Sequence, residues 1–240
     1  MGVDAADYDN DGWDDVVHTA LAGETYPLFH NDGRGGFVEA TQSSGLARLT
    51  TKLSGWCSVI ADFDNDGWKD IFTANSHVYD RIGEFEAVAF KQPNALFLND
   101  GRGNFRDVTA SSGFGGVAAA HRGCGVADLN ADGRLDVVVL VAGGPAEVWQ
   151  NDSQPGRRWL IVRLVGTRSN RDGIGARVTI GKQTRMMTTS IGYASSSHAG
   201  LHFGLGTALE VDRIVVDWPS GAHQTVEHVK TNQAIEIKEN

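Results

Sequence analysis

Short apolar runs separated by clusters of Asp, Asn and Gly recur along the chain, a pattern that predicts short β-strands joined by tight turns. Three segments repeat that pattern in register. They are Ala6-Asp7-Tyr8-Asp9-Asn10-Asp11-Gly12-Trp13-Asp14-Asp15-Val16-Val17, Ala61-Asp62-Phe63-Asp64-Asn65-Asp66-Gly67-Trp68-Lys69-Asp70-Ile71-Phe72 and Ala127-Asp128-Leu129-Asn130-Ala131-Asp132-Gly133-Arg134-Leu135-Asp136-Val137-Val138. A second shared element follows each: Leu28-Phe29-His30-Asn31-Asp32-Gly33, Leu96-Phe97-Leu98-Asn99-Asp100-Gly101 and Val148-Trp149-Gln150-Asn151-Asp152. An Asp-Gly turn between apolar runs is a strong hairpin signal. In the first two copies that turn leads to a further strand, Gly36 to Thr41 and Asn104 to Thr109.

Each unit therefore reads as four antiparallel strands, with the Asp-rich loop between the first and second. Such a meander is one blade of a β-propeller. Blades are expected over about 1–45, 46–115 and 116–152, the third without an outer strand. The second carries an insertion at 77–93, read as a surface excursion. Beyond Asn151 the pattern changes. Trp159 to Val165, Ala176 to Ile180, Ile214 to Trp218 and Ala234 to Ile237 predict strands of a separate, sandwich-like β domain over 157–240. The expected fold class is all-β: a partial propeller and a small β domain, with a hinge at about 151–158.

Composition adds two constraints. Among 240 residues there are 30 glycines and five prolines, which suits many turns, and the formal charge of −9 argues against nucleic acid and against an anionic membrane surface. Cations are the natural counterpart. No stretch is long and apolar enough to span a bilayer, and 1–4 lack the basic flank and apolar core of a signal peptide. Cys57 and Cys124 have no metal-ligand spacing; they hold nearly equivalent places in successive units, as a disulfide or as two buried thiols.

The loops carry the chemistry. Asp7, Asp9, Asp11 and Asp15 stand at positions 1, 3, 5 and 9, where their side chains can converge, while Gly12 permits the sharp turn and Trp13 at position 7 offers its carbonyl. The second set is Asp62, Asp64, Asp66, Trp68 and Asp70; the third is Asp128, Asn130, Asp132, Arg134 and Asp136, with one carboxylate replaced by an amide. Oxygen-only donors in that number suit Ca²⁺, not Zn²⁺ or the tighter Mg²⁺. As mere surface turns they would be self-repelling: like charges about 4 Å apart repel by roughly 4 kcal/mol near a protein surface. Up to three Ca²⁺ ions are expected, in a structural role, with the third site weaker. Trp13 and Trp68 are expected to pack between blades.

These loops, with the Asn-Asp-Gly-x-Gly-x-Phe turns, resemble the FG-GAP or VCBS repeats of integrin-type β-propellers over 1–152. Ser169-Asn170-Arg171-Asp172-Gly173-Ile174-Gly175-Ala176, His202-Phe203-Gly204-Leu205-Gly206 and Asp217-Trp218-Pro219-Ser220-Gly221 resemble the ASPIC/UnbV domain of the cartilage acidic protein family. That resemblance implies an extracellular or cell-surface, non-enzymatic calcium-binding protein.

Enzyme signatures are weak. His198 and His202, four apart, lack a third ligand and an acidic base. Ser195, Ser196 and Ser197 beside His198 lack a nucleophile elbow, and no Gly-rich phosphate loop opens a helix. The Asn151-Asp152-Ser153 sequon is read as an ordinary turn. The leading function is adhesion or assembly with other protein chains; the alternatives are a glycan-binding, lectin-like propeller and a calcium-dependent hydrolase. Because propellers close with 4 to 8 blades, three blades are expected to leave two open edges, covered by upstream blades or by other copies in an oligomer or filament. Chelation is expected to weaken 1–152 far more than the C-terminal domain.

Overall fold

The computed structural model describes residues 1–153 and 155–240; Gln154, within the expected hinge, lies outside the described residues. The first blade is an antiparallel sheet of Val3–Ala6, Asp15–His18, Leu28–Asn31 and Phe37–Glu39, in chain order. Gly55–Ala61, Asp70–Asn75, Ala95–Asn99 and Phe105–Asp107 repeat it as the second blade. The third blade has three strands, His121–Ala127, Asp136–Val141 and Glu147–Trp149. Register is the same in each. The last residue of the inner strand pairs with the ninth loop residue: Ala6 with Asp15, Ala61 with Asp70, Ala127 with Asp136.

The blades stack through their apolar faces. Val17 and Leu28 of the first meet Ile60, Ile71 and Phe97 of the second. The other face of the second blade, Val59, Phe72 and Leu96, meets Val126, Val137 and Val139 of the third. Within that second interface Cys57 and Cys124 form a disulfide, so the inner strands of adjacent blades are covalently joined. In the insertion, Ile82–Glu84 forms one 3-10 turn and Gln92–Pro93 pairs with Ala118–Ala119.

The C-terminal domain is a sandwich. One sheet orders Leu201–Gly206, Arg158–Val165 and Gln233–Lys238, the last two parallel; the other orders Gln183–Met186, Arg177–Ile180, Glu210–Asp217 and His223–Lys230. Leu160, Val162, Phe203 and Ile237 from the first sheet pack on Val178, Ile214 and Val216 from the second. A hairpin, Ser190–Ile191 with Ser195–Ser196, leaves the sandwich and reaches the inner strands of all three blades. Among the described residues no helix is long and apolar enough to cross a membrane.

Candidate metal centre

The three Asp-rich loops share one backbone path. The fourth loop residue has a left-handed conformation, Asn10, Asn65 and Ala131 at φ near 60°, and the sixth is glycine at φ 95°, 93° and 84°. A side chain at that glycine would be strained, so the sharp turn explains its identity.

Carboxylates hold this path. In the first loop Asp7 accepts from the amides of Asp11 (3.1 Å) and Gly12 (3.0 Å), Asp11 from Trp13 (2.9 Å), and Asp15 from Tyr8 (3.1 Å) and Asn31 (2.8 Å). The second repeats this: Asp62 accepts from Asp66 and Gly67, Asp66 from Trp68, and Asp70 from Phe63 and Asn99. So does the third: Asp128 accepts from Asp132 and Gly133, Asp132 from Arg134, and Asp136 from Leu129 and Asn151. Each anchoring oxygen retains a lone pair for a cation.

The convergence differs among loops. Ligand atoms of Asp7, Asp9 and Asp15 lie within 4.8 Å of one another, as do those of Asp62, Asp64 and Asp66 and those of Asp9, Asp11 and His30. Among the described residues Asp70, Asp128, Asp132 and Asp136 join no such group. In the third loop the Asn130 amide donates to Asp132 (2.9 Å), and the Arg134 guanidinium bonds the same carboxylate. Asp9 Oδ1 is buried without a hydrogen-bond partner. An orphaned carboxylate oxygen in an all-oxygen cluster is the condition a hard cation relieves.

Protonation equilibria say the same. Burial pushes Asp7 up to about 6 and Asp15 and Asp62 to about 7. Asp70 is raised well above the ordinary range by burial, then by the Asp62 charge. Burial also raises Asp9 and Asp66. A divalent cation among these groups would favour their charged forms.

Neighbouring blades clasp the loops. The Asn10 amide donates to Gly67 O (2.9 Å) and that of Asn65 to Gly133 O (3.1 Å). In the opposite direction Asn99 donates to Tyr8 O (3.0 Å) and Asn151 to Phe63 O (2.7 Å). This accounts for the recurring Asn of the second shared element, and the sequon asparagine is thereby engaged in the fold.

The C-terminal domain also rests on the loops. Arg177 donates to Gly12 O (2.7 Å), the Gly206 amide to Asn65 O (3.0 Å), and the His202 ring to Gly133 O (3.0 Å). Lys69, 0% exposed, reaches Asn10 Oδ1 and Gln183 Oε1, and burial lowers it to about 8. Arg157 pairs with Asp64 and donates to its carbonyl. The expected hinge is therefore pinned on both sides, by Asn151 and by Arg157.

One further expectation needs correction. Trp13 and Trp68 do not pack between blades. Each indole lies over a glycine of its own blade's Asp-Gly turn, Gly33 and Gly101, because a residue without Cβ leaves a flat surface there, and Trp13 stays 50% exposed. His198 and His202 sit in different settings. Only His202 is in Leu201–Gly206; it is buried, and burial lowers it to about 4. The serines beside His198 bond the blades: Ser195 accepts from the Cys124 amide and Ser197 donates to Val126 O. His30, Lys69, Arg157 and Arg177 were not singled out from the sequence. Only the divergence of positions 30 and 69 from their counterparts in the other repeats could have marked the first two.

Comparison with known families agrees with this arrangement. The model described as FG-GAP-like repeat matches 7–73 and 86–139, and that described as ASPIC and UnbV matches 166–240. The chain belongs to the FG-GAP-like repeat proteins with a C-terminal ASPIC and UnbV domain. Similar relatives include Cartilage acidic protein 1 of Mus musculus, 25% identical over 266 residues and covering 88% of this chain and 41% of the relative. That of Homo sapiens is 26% identical, covering 88% and 40%. The chain thus spans less than half the length of these curated relatives. A solved Agrocybe aegerita lectin aligns with 62% of this chain and 51% of its own at 17% identity and a TM-score of 0.23, too low to bear on fold or ligand.

Proposed function

We propose that this FG-GAP and ASPIC/UnbV chain is a non-enzymatic, extracellular calcium-binding module for adhesion or assembly, whose calcium ions brace the blade loops on which the C-terminal domain rests. The observation that supports it most is the threefold repetition of one loop geometry, with the orphaned Asp9 oxygen in a cluster of oxygen donors. Asp7, Asp9, Asp11 and Asp15 would hold one ion, Asp62, Asp64, Asp66 and Asp70 a second, and Asp128, Asn130, Asp132 and Asp136 a third. The carbonyls of Trp13, Trp68 and Arg134 complete the sets. Binding stabilises the folded chain, because an unfolded one cannot assemble the donors.

Equilibrium dialysis against ⁴⁵Ca²⁺ tests this. Up to three ions per chain are expected, with Asp66→Asn and Asp132→Asn each removing one. No retained calcium at millimolar concentration would contradict it, and calcium-dependent signals on a glycan array would favour a lectin instead.

The partners proposed are protein chains, beginning with other propeller blades of the same kind. On the outer face of the third blade, Leu129, Leu140 (56% exposed) and Val148 (66% exposed) occupy the places that Phe63, Ala74 and Leu96 fill in the second, where they are buried. The first blade exposes Phe37, counterpart of the buried Phe105. Light scattering of this chain with calcium is expected to show self-association that Leu140→Glu with Val148→Glu abolishes. A monomer at all concentrations would refute it.

A further inference from the structure

The three loops are not alike in their donors. The third strand of the first blade, Leu28–Asn31, carries His30 at the place where the second blade has Leu98 and the third has Gln150. In the pleat, that side chain projects toward the loop. His30 Nδ1 stands 3.2 Å from Asp9 Oδ2 and 3.2 Å from Asp15 Oδ1, and Nε2 is 3.9 Å from Asp11 Oδ2. Nδ1 is buried but has no hydrogen-bond partner of acceptable geometry, and Asp9 Oδ1 beside it is likewise orphaned. The 3.2 Å spacings run from this unsatisfied nitrogen to Asp9 Oδ2 and Asp15 Oδ1, so one imidazole nitrogen and two carboxylate oxygens border one point. Neighbouring ligands of a six-coordinate ion with bonds of about 2.1 Å stand roughly 3 Å apart.

We propose that the first loop is a mixed nitrogen and oxygen site in which His30 Nδ1 joins Asp7, Asp9 and Asp15, so that it takes a first-row transition ion of the Mn²⁺ class in preference to Ca²⁺. The inference rests on the reading of the loops as cation sites and deepens it for one of them. Calcium takes oxygen ligands, and an imidazole in the set lowers its advantage, whereas Mn²⁺ accepts carboxylate and imidazole together. Asp7, Asp9 and Asp15 explain why the site is not a zinc site of nitrogen and sulfur ligands: three carboxylates around one imidazole are a hard set with a single borderline member. The second and third loops offer oxygen only at the corresponding place or, at Leu98, no donor at all, and remain calcium sites.

The test uses Mn²⁺ as the probe on the intact chain, with calcium filling the other loops. Electron spin echo modulation of bound Mn²⁺ is expected to show one imidazole nitrogen, and His30→Leu, which restores the residue of the second blade, is expected to abolish it. Mn²⁺ affinity should fall at least about tenfold, with calcium stoichiometry unchanged; His30→Gln, matching the third blade, guards against misfolding of the leucine variant. Mn²⁺ bound without nitrogen modulation, or modulation that survives both variants and so arises from another histidine, overturns the inference while leaving the calcium loops intact. Failure of the loops to retain either ion, with Asp9→Asn indistinguishable from the native chain, overturns both readings.

Discussion

Removal of calcium is expected to lower the melting temperature by on the order of 20 °C. An ion held at a hundredfold excess over its dissociation constant contributes about 2.7 kcal/mol, so three contribute about 8 kcal/mol, comparable with the whole stability of a typical domain. At roughly 2 to 4 °C per kcal/mol for a chain of this size, the shift follows. Calorimetry with calcium and with EDTA measures it. The sequence alone suggests a loss far greater in 1–152 than in the C-terminal domain. The structure predicts otherwise: Arg177, His202 and Gly206 hydrogen-bond loop carbonyls, so relaxation of the loops removes the surface on which the C-terminal domain is seated. Asp66→Ala should reproduce part of the effect, since it deletes one ligand and the acceptor of the Trp68 amide.

Gly204→Ala is expected to be the most damaging single methyl in the C-terminal domain. Gly204 lies in Leu201–Gly206, and its carbonyl accepts from the Gln183 amide at 2.7 Å. A Cβ there would stand 2.6 Å from Asn65 Cα and would overlap the Asp62 carboxylate. Backbone cannot yield as a flexible side chain does, so the strand must lift from the second loop, at roughly 3 kcal/mol. Asp62 is displaced in the same step, and calcium affinity at that loop falls with stability. Gly125→Ala is the control, because nothing lies within 4 Å of its added methyl. Denaturant unfolding and calcium titration of the two variants check this; equal behaviour would mean that the domain is not seated on the loop.

Repetition made the propeller legible. Three copies of the Asp spacing and of the Asn-Asp element marked strand order and loop positions, and alternation marked the strands of the sandwich. Surfaces that meet across long separations left no such trace. Trp13 and Trp68 looked like inter-blade anchors because a large apolar residue must cover something, but the bare glycines of their own turns were nearer. The pairing of Cys57 with Cys124 depends on the distance between two inner strands, 5.9 Å between Cα atoms, which spacing along the chain cannot encode. Arg177 and Gly204 sit in ordinary strands, and only the docked structure shows that both belong to the loops. Lys69 is the clearest case. A lysine beside Asp70 reads as surface charge, yet it is buried at the junction of two loops and the second sheet.

Hydrogen exchange with calcium present and after chelation tests the central claim most directly, because it reads the loops and the docked domain separately in one experiment. If calcium braces the loops that seat the domain, the amides of 7–15, 62–70 and 128–136 lose protection on chelation, and those of 201–206 lose it with them, while Val162 and Leu164 in the sandwich core change less. Unchanged exchange throughout the three loops would contradict a structural role for calcium.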